Sequence, residues 1–246
     1  MKDYLLEIAA TDFESTAVAV AGGADRIELC SALSEGGLTP SYGLMRRCRE
    51  KFSLPLFPII RPRGGDFLYN ADACAIMLHD IKLAKSLGFE GIVVGALMAD
   101  GTIDVKLTAT CVQLAYPMEV TFHRAFDRCA DPFAALEQLI TIGCTRVLTS
   151  GQRPAAPDGM NLIKQLVTAA NNRIVVMPGS GVRADNLELL IRGTGASEFH
   201  SSAKTKISSA MGYRHPHFAA SAESYSHPGV DINAVRKMKE ILDRGV

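Results

Sequence analysis

The chain has 246 residues, and its 26 Lys+Arg balance its 26 Asp+Glu, so the formal net charge at pH 7 is zero. Hydrophobic residues make up 48% and charged residues 21%, a composition typical of folded globular proteins that excludes an intrinsically disordered chain. The balanced charge excludes a protein that coats nucleic acid or an anionic membrane by bulk electrostatics. A local basic pocket is still compatible with it.

No membrane or secretion signal is expected in this sequence. The longest apolar stretch, residues 91–99, is about half the length of a transmembrane helix. Asp3 and Glu7 interrupt the only apolar run near the N-terminus that could form the core of a signal peptide. We therefore expect a cytoplasmic protein without a membrane or nucleic-acid partner.

The six cysteines are expected to be free thiols, because disulfides are rare in the reducing cytosol. No two of them form a Cys-x-x-Cys pair, which excludes a zinc ribbon and a thioredoxin motif. We interpret most of them as small buried hydrophobic residues.

Short apolar segments alternate with amphipathic segments along the chain, a pattern that indicates strands followed by helices. The predicted strands cover residues 4–9, 26–30, 56–60, 91–95, 119–123, 146–149, 174–177 and 197–200. The predicted helices cover residues 12–21, 42–51, 71–87, 105–115, 132–142, 160–170, 184–191 and 232–242. Asp12 is the expected N-cap of the first helix, and Gly22 and Gly23 are its expected C-cap. Pro132 suits the first turn of the fifth helix.

Eight strand–helix pairs in one chain predict the α/β class and a single-domain (β/α)8 TIM barrel over residues 1–246. A doubly wound open sheet is the alternative, although such a sheet does not normally need eight units in strict order. Residues 203–230 show no clear periodicity and are predicted to form an irregular loop. Because long structureless loops are uncommon and often functional, we expect a lid over the C-terminal mouth or a dimer contact.

Polar side chains are expected at the C-terminal ends of the predicted strands, where the active sites of barrels lie. They are Glu7, Glu28, Arg61, Arg63, His123, Arg124, Asp127 and His200. Ionisable groups inside a packed barrel cost free energy unless they are paired. Two interpretations stay open: an active site, or a structural ion network in which Glu7 and Glu28 pair with Arg61 and Arg63.

An active site here would carry out acid–base chemistry. The catalytic candidates are Glu7, Glu28, His123 and Asp127. Burial beside a second carboxylate would raise the pKa of Glu7 or Glu28 and make one of them a general acid or base. His123 could relay protons near neutral pH, and Arg61 and Arg63 could hold an anionic ligand through paired N–H groups.

Two loops predict an anion-binding site. Gly179, Ser180 and Gly181 follow the seventh strand, and Ser201 and Ser202 follow the eighth. Many barrels bind phosphate with these two loops and a helix N-terminus, where backbone N–H groups point outward. The alternative is that the glycines only permit a tight turn. The remaining anion-binding candidates are Arg124, Ser150 and His200.

Metal ligands of two kinds are present. Glu7, Glu28, His123 and His200 would offer oxygen and nitrogen ligands to a divalent ion. Copper(I) is a soft ion that prefers thiolate or thioether sulfur. Cys30, at the end of the second strand, and Cys48, on the following helix, are therefore the copper(I) candidates, and no other cofactor is expected.

Several segments of the sequence resemble the signatures of the CutC copper homeostasis proteins. They are ELCSALSEGGLTP at 28–40, IRPRGGDFLY at 60–69, TFHRAFD at 121–127, TSG at 149–151, GSGV at 179–182 and EFHSSA at 198–203. The resemblance runs from the first strand to the eighth. It implies a cytosolic TIM barrel, a homo-oligomer such as a dimer, and a role in copper tolerance with copper(I) binding, for which Cys30 is the first candidate ligand and Cys48 the second.

Two functions follow from the sequence and both stay open. The resemblance implies a copper-handling protein. The matched segments, however, are rich in Glu, Arg, Gly and His, which suit an oxyanion better than copper(I). The second hypothesis is therefore an enzyme, a lyase, isomerase or hydrolase, that acts on a small phosphorylated or carboxylated metabolite.

Overall fold

The fold is a ring of eight parallel strands surrounded by eight helices, in a computed structural model that describes residues 4–218 and 225–245. The strands of the ring are β1 (Leu5–Ala10), β2 (Arg26–Leu29), β3 (Leu56–Pro58), β4 (Gly91–Val94), β5 (Glu119–Phe122), β6 (Arg146–Thr149), β7 (Val175–Pro178) and β8 (Glu198–Ser201). The helices are α1 (Phe13–Ala21), α2 (Tyr42–Lys51), α3 (Ala71–Ser86), α4 (Val105–Ala115), α5 (Pro132–Ile142), α6 (Met160–Ala170), α7 (Leu187–Thr194) and α8 (Ile232–Arg244). The predicted TIM barrel is confirmed.

The strands follow one another around the ring in chain order. Hydrogen bonds link them into two parallel four-stranded sheets, β3-β2-β1-β8 and β4-β5-β6-β7. A bridge between Ile59 and Val93 joins the sheets on one side, and β7 lies beside β8 on the other. All eight strands therefore direct their C-terminal ends toward the same mouth.

Polar caps fix where the helices begin. Asp12 Oδ1 accepts the Ser15 N–H at 2.6 Å, as the sequence predicts for the start of α1. The same kind of cap is formed at Ser41, Asn70, Asp104, Asp131 and Asp231. Each cap satisfies one backbone N–H that lacks a partner within its helix. Across the described ranges, no helix is both long and apolar enough to cross a membrane.

The N-terminal end of the barrel interior is filled by an ion network of strand-initial residues. The Arg26 and Arg146 side chains both donate to Glu198 Oε2, at 2.6 and 2.5 Å, and Arg146 also donates to Glu119. Their guanidinium groups lie 5.1 and 5.6 Å from the centre of the Phe57 ring. This layer closes the bottom of the barrel, so the mouth is the open end.

The segment expected to be an irregular loop contains regular structure. Strands β9 (Lys204–Ser208) and β10 (Ser226–Val230) form an antiparallel hairpin just beyond β8. All five residues of β9 are exposed, so this strand has no buried face and shows no alternation in the sequence. The prediction of an irregular 203–230 loop is therefore wrong for both strands, and residues 219–224 lie outside the described residues.

Replacing Gly91 with alanine is expected to lower the free energy of unfolding by about 1–3 kcal/mol. A Cβ at this position would lie 2.4 Å from the Phe57 ring, inside the packed barrel. Gly43→Ala is the matched control, because a Cβ on this exposed α2 position would meet no described atom within 4 Å. It should leave stability unchanged or raise it by up to about 1 kcal/mol. Urea unfolding of both variants measures the difference, and equal effects would contradict the packing argument.

Candidate active site

A cavity of about 830 Å³ opens at the C-terminal ends of the strands. Its charged and titratable lining residues are Glu28, Glu35, Arg61, His123, Arg124, Asp127, Arg128, Arg183, His200 and Lys204. Five of these carry Arg or Lys cations and three carry carboxylates. The mouth is therefore cationic although the whole chain is neutral.

A chain of four side chains runs from the barrel interior to this cavity. Glu7 stands beside Arg26 and beside His200, because strand register pairs it with both. The Arg26 guanidinium donates to Glu7 Oε2, and His200 Nδ1 lies 2.7 Å from Glu7 Oε1. A carboxylate can only accept, so Nδ1 carries the proton. The other ring nitrogen, His200 Nε2, then faces Glu28 Oε2 at 3.8 Å.

Burial acts on both glutamates, but their neighbours drive the two pKa values apart. Burial would raise the pKa of Glu7, yet the Arg26 charge and the His200 hydrogen bond outweigh it and hold that pKa well below its usual range. Burial raises the pKa of Glu28 to about 7. Although burial opposes it, the negative charges of Glu28 and Glu7 raise the pKa of His200. Glu28 is thus poised to gain or lose a proton near neutral pH.

His123 is held as a neutral imidazole. Burial and the Arg61 charge lower its pKa to about 3. Its Nδ1 accepts the Ala125 N–H at 3.1 Å, and the ring is seated against Gly95, where a Cβ would lie 2.3 Å from His123 Cε1. Such a group does not change charge near pH 7, so the structure does not support the predicted proton relay.

Arg61 and Arg63 do not form the ion network with Glu7 and Glu28 that was one interpretation of the sequence. Arg61 leaves β3 above those carboxylates and donates to the backbone carbonyls of Glu35, Gly37 and Gly65 at 2.5–3.1 Å. Arg63 is exposed and pairs with Asp66 at 2.6 Å. The interpretation that Glu7 and Glu28 pair with Arg61 and Arg63 is therefore wrong. Glu7 pairs with Arg26 and His200 instead.

Asp127 acts as a brace between two loops at the mouth. Its carboxylate accepts the Thr149 hydroxyl at 2.6 Å and the Ser150 N–H at 2.9 Å. It also accepts Arg124 Nε at 2.8 Å, and Arg124 in turn donates to Ser150 Oγ at 2.9 Å. These contacts position the loops after β5 and β6. Asp127 and Arg124 both line the cavity, whereas Ser150 supports it from behind.

The serine–glycine loops after β7 and β8 reach the cavity but use their hydroxyls internally. Ser180 Oγ donates to the Pro154 carbonyl at 2.9 Å, and Ser201 Oγ donates to the Val182 carbonyl at 2.7 Å. Ser180 and Gly181 both have positive φ, at 71° and 73°, which forms the tight turn. The cavity lining includes Ser180, Gly181, Ser201 and Ser202 but not Gly179, which packs beneath it against Leu148.

Within the described ranges, one group of three side chains offers metal-ligand atoms within 4.8 Å of one another: Glu7, Glu28 and His200. His123 does not belong to it. Since Glu7 is already engaged by Arg26 and by His200 Nδ1, we interpret this group as an acid–base chain in which His200 is hydrogen-bonded to Glu7 and lies within ion-pair distance of Glu28.

The structure does not bring Cys30 and Cys48 together. Cys30 lies inside the barrel in a small apolar cluster with Phe57, Ile59 and Val93, whereas Cys48 belongs to the main core cluster. The Cys30 thiol donates a hydrogen bond to the Ala10 carbonyl at 3.6 Å, and the Cys48 thiol donates one to Thr16 Oγ1 at 3.8 Å. Burial raises the pKa of both thiols and so disfavours the thiolate that copper(I) prefers.

Sequence reasoning missed the three charged residues beneath the site, Arg26, Arg146 and Glu198. A signal for two of them was present. Arg26 stands two residues before Glu28 and Glu198 two before His200, so each pair lies on the same face of its strand. That spacing could have placed both in the barrel interior below the predicted site.

Fold and site together define a (β/α)8 barrel with an acid–base pair beneath a cationic mouth. A family model described as the CutC family matches residues 4–205. The human protein named copper homeostasis protein cutC homolog is 47% identical over 97% of this chain and 89% of its own. A CutC family protein of Chromobacterium violaceum is 45% identical over 98% and 99%. The solved CutC structure from Streptococcus agalactiae is 32% identical, with a TM-score of 0.77 over 81% and 98%. The chain belongs to the CutC family.

The raised pKa of Glu28 predicts that the folded protein loses stability as pH rises from about 4.5 to about 7. In that window the folded state keeps a proton that the unfolded chain has already lost, so the free energy of unfolding falls with pH. The loss is at most about 3–4 kcal/mol, since each pKa unit corresponds to about 1.4 kcal/mol.

Glu28→Gln cannot ionise and should be more stable than the wild type at pH 8. The free energy of unfolding of this variant should fall less between pH 5 and pH 8 than that of the wild type. The fall that remains is due to His200, whose raised pKa acts in the same direction. Denaturant unfolding at the two pH values measures this, and parallel curves for the two proteins would contradict it.

Proposed function

We propose that this protein contributes to copper homeostasis, as the names of its human and mouse relatives state for those proteins. We further propose that its molecular activity is proton transfer on a small metabolite that carries a phosphate or carboxylate. The observation that carries this proposal is the buried Glu28 carboxyl, which lines the cavity with its Oε2 3.8 Å from His200 Nε2. Burial also raises its pKa to about 7. Its neighbour His200 is oriented by Glu7.

The charges at the mouth support an anionic ligand. Arg61 is fixed by backbone carbonyls and Arg124 by Asp127, but Arg128, Arg183 and Lys204 line the cavity with exposed side chains. Cations above and an acid–base group below suit a molecule with an anionic end and a reactive centre. We also propose the cytoplasmic location and the dimer expected from the sequence.

Inorganic phosphate tests the anion site, because a ligand that binds only the folded state raises the melting temperature. At ten times the dissociation constant, the expected rise is about 3–6 °C for a chain of this size. Arg183→Gln should reduce the rise. Arg192→Gln is the matched control, because its side chain is 66% exposed, close to the 67% of Arg183, but lies outside the cavity lining. Equal shifts in both variants would contradict an anion site at the mouth.

Direct copper(I) binding is the competing molecular activity, and it depends on Cys30 and Cys48. Titration of copper(I) against a competing chelator separates the two activities. We expect no tight stoichiometric copper(I) binding to the wild type, whereas copper capture would give tight binding that Cys30→Ser abolishes. If such binding appears and the phosphate response does not, copper capture replaces metabolite chemistry as the activity.

A further inference from the structure

Two buried hydrogen-bond donors next to the cavity have no partner. Among the residues that the structure describes, four buried side-chain polar atoms lack a hydrogen bond, and two of them are His123 Nε2 and Arg61 Nε. Both residues line the cavity. The Phe67 ring lies against both, with its centre 4.9 Å from the His123 ring centre and 4.9 Å from Arg61 Cζ. A buried donor without an acceptor costs free energy, and native proteins rarely tolerate one without a functional reason.

The protonation of these two groups follows from their other contacts. His123 Nδ1 accepts the Ala125 N–H, so in the neutral ring the hydrogen is on Nε2. The two terminal nitrogens of Arg61 donate to backbone carbonyls, which fixes the guanidinium beside the Tyr69 hydroxyl and leaves its Nε–H without a hydrogen bond. His123 stays neutral near pH 7, because burial and the Arg61 charge lower its pKa, and a guanidinium offers only N–H donors. Both are suited to donate hydrogen bonds to an oxygen that acquires negative charge.

We propose that His123 Nε2–H and Arg61 Nε–H form an oxyanion subsite, which Phe67 caps and which takes the carbonyl oxygen of a substrate facing Glu28. This inference rests on the proposed function and narrows it to carbonyl compounds with an acidic C–H next to the carbonyl. Glu28 is on β2 and His123 follows β5, three strands further around a ring of eight, so the two side chains approach the cavity from opposing walls. A ligand oxygen reaches the subsite by displacing the Phe67 side chain.

The step is balanced without a cofactor. The Glu28 carboxylate takes the proton from the carbon next to the carbonyl, and the C–H electron pair forms a C=C bond. The carbonyl π electrons move onto the oxygen, where the two N–H groups stabilise the negative charge and keep their own protons. If the carbon that lost its proton carries a hydroxyl, transfer of the hydroxyl proton to the enolate oxygen and return of the Glu28 proton to the former carbonyl carbon give the isomeric carbonyl compound. If the next carbon along carries a leaving group, the carbonyl re-forms, a C=C bond forms to that carbon and the group departs with its bonding pair, which is a lyase reaction. Both outcomes start from abstraction of an acidic C–H proton, so the proposal is confined to the isomerase and lyase classes.

Binding of 2-phosphoglycolohydroxamate, a phosphorylated analogue of an enediolate, tests the subsite by calorimetry on the full chain. His123→Phe removes the donor and should weaken hydroxamate binding at least about tenfold, because a hydrogen bond to a charged group is lost. His123→Gln keeps an N–H donor and should restore most of the affinity. Phe67→Ala removes the cap and should strengthen binding. Inorganic phosphate should bind the wild type and all three variants equally, which also reports that they are folded.

Exchange of carbon-bound protons in D₂O, followed by ¹H NMR on a panel of sugar phosphates and α-keto acids, is the activity readout. Exchange should occur with at least one compound and be lost in both Glu28→Gln and His123→Phe. Hydroxamate affinity that is unchanged in His123→Phe, while phosphate binding still depends on Arg183, would overturn the oxyanion subsite and leave the proposed function standing. Loss of any phosphate response in the wild type would overturn the proposed function itself.

Discussion

The buried Glu7 carboxylate is the interaction on which the rest of the site depends. Its side chain has no exposed surface, and its two oxygens are taken by Arg26 from β2 and by His200 from β8. These are the strands that flank β1, so the contacts form only in the native register. Removing the carboxylate would leave a buried guanidinium with half its counter-charge and free the imidazole to rotate. One side chain therefore couples strand pairing to the orientation of the His200 imidazole at the cavity.

Glu7 and Glu28 show how position within one barrel decides chemical role. Both are buried, and burial alone would raise both pKa values. Arg26 pairs directly with Glu7 and only acts on Glu28 from further away, so Glu7 stays ionised while Glu28 exchanges its proton near neutral pH. The strand-initial ion network supplies this difference, because Arg146 and Glu198 hold Arg26 and its charge at the bottom of the barrel. A layer that stabilises the fold thus also sets the protonation of the layer above it.

The alternation of apolar and amphipathic segments was enough to predict the barrel, because each strand and helix buries one face in a regular period. The site was harder to predict, since its partners are set by ring closure, which places β8 beside β1 although almost the whole chain separates them. Arg61 shows the limit. Its charge suggested a carboxylate partner, but backbone carbonyls satisfy it instead. The β9–β10 hairpin was missed for a related reason, because an exposed strand carries no burial signal.

A role in copper homeostasis does not require this protein to hold copper. The donors that converge at the mouth are carboxylate oxygens, guanidinium groups and imidazoles, whereas the sulfurs of Cys30 and Cys48 lie in separate apolar clusters. Soft ions select sulfur, and small oxyanions select N–H donors. An enzyme that makes or consumes a copper-binding metabolite, or a precursor of a copper-binding thiol, would change the concentration of that molecule. The change in concentration would then alter copper tolerance. The proposed proton transfer at the mouth is then compatible with the copper role that the names of the human and mouse relatives state for those proteins.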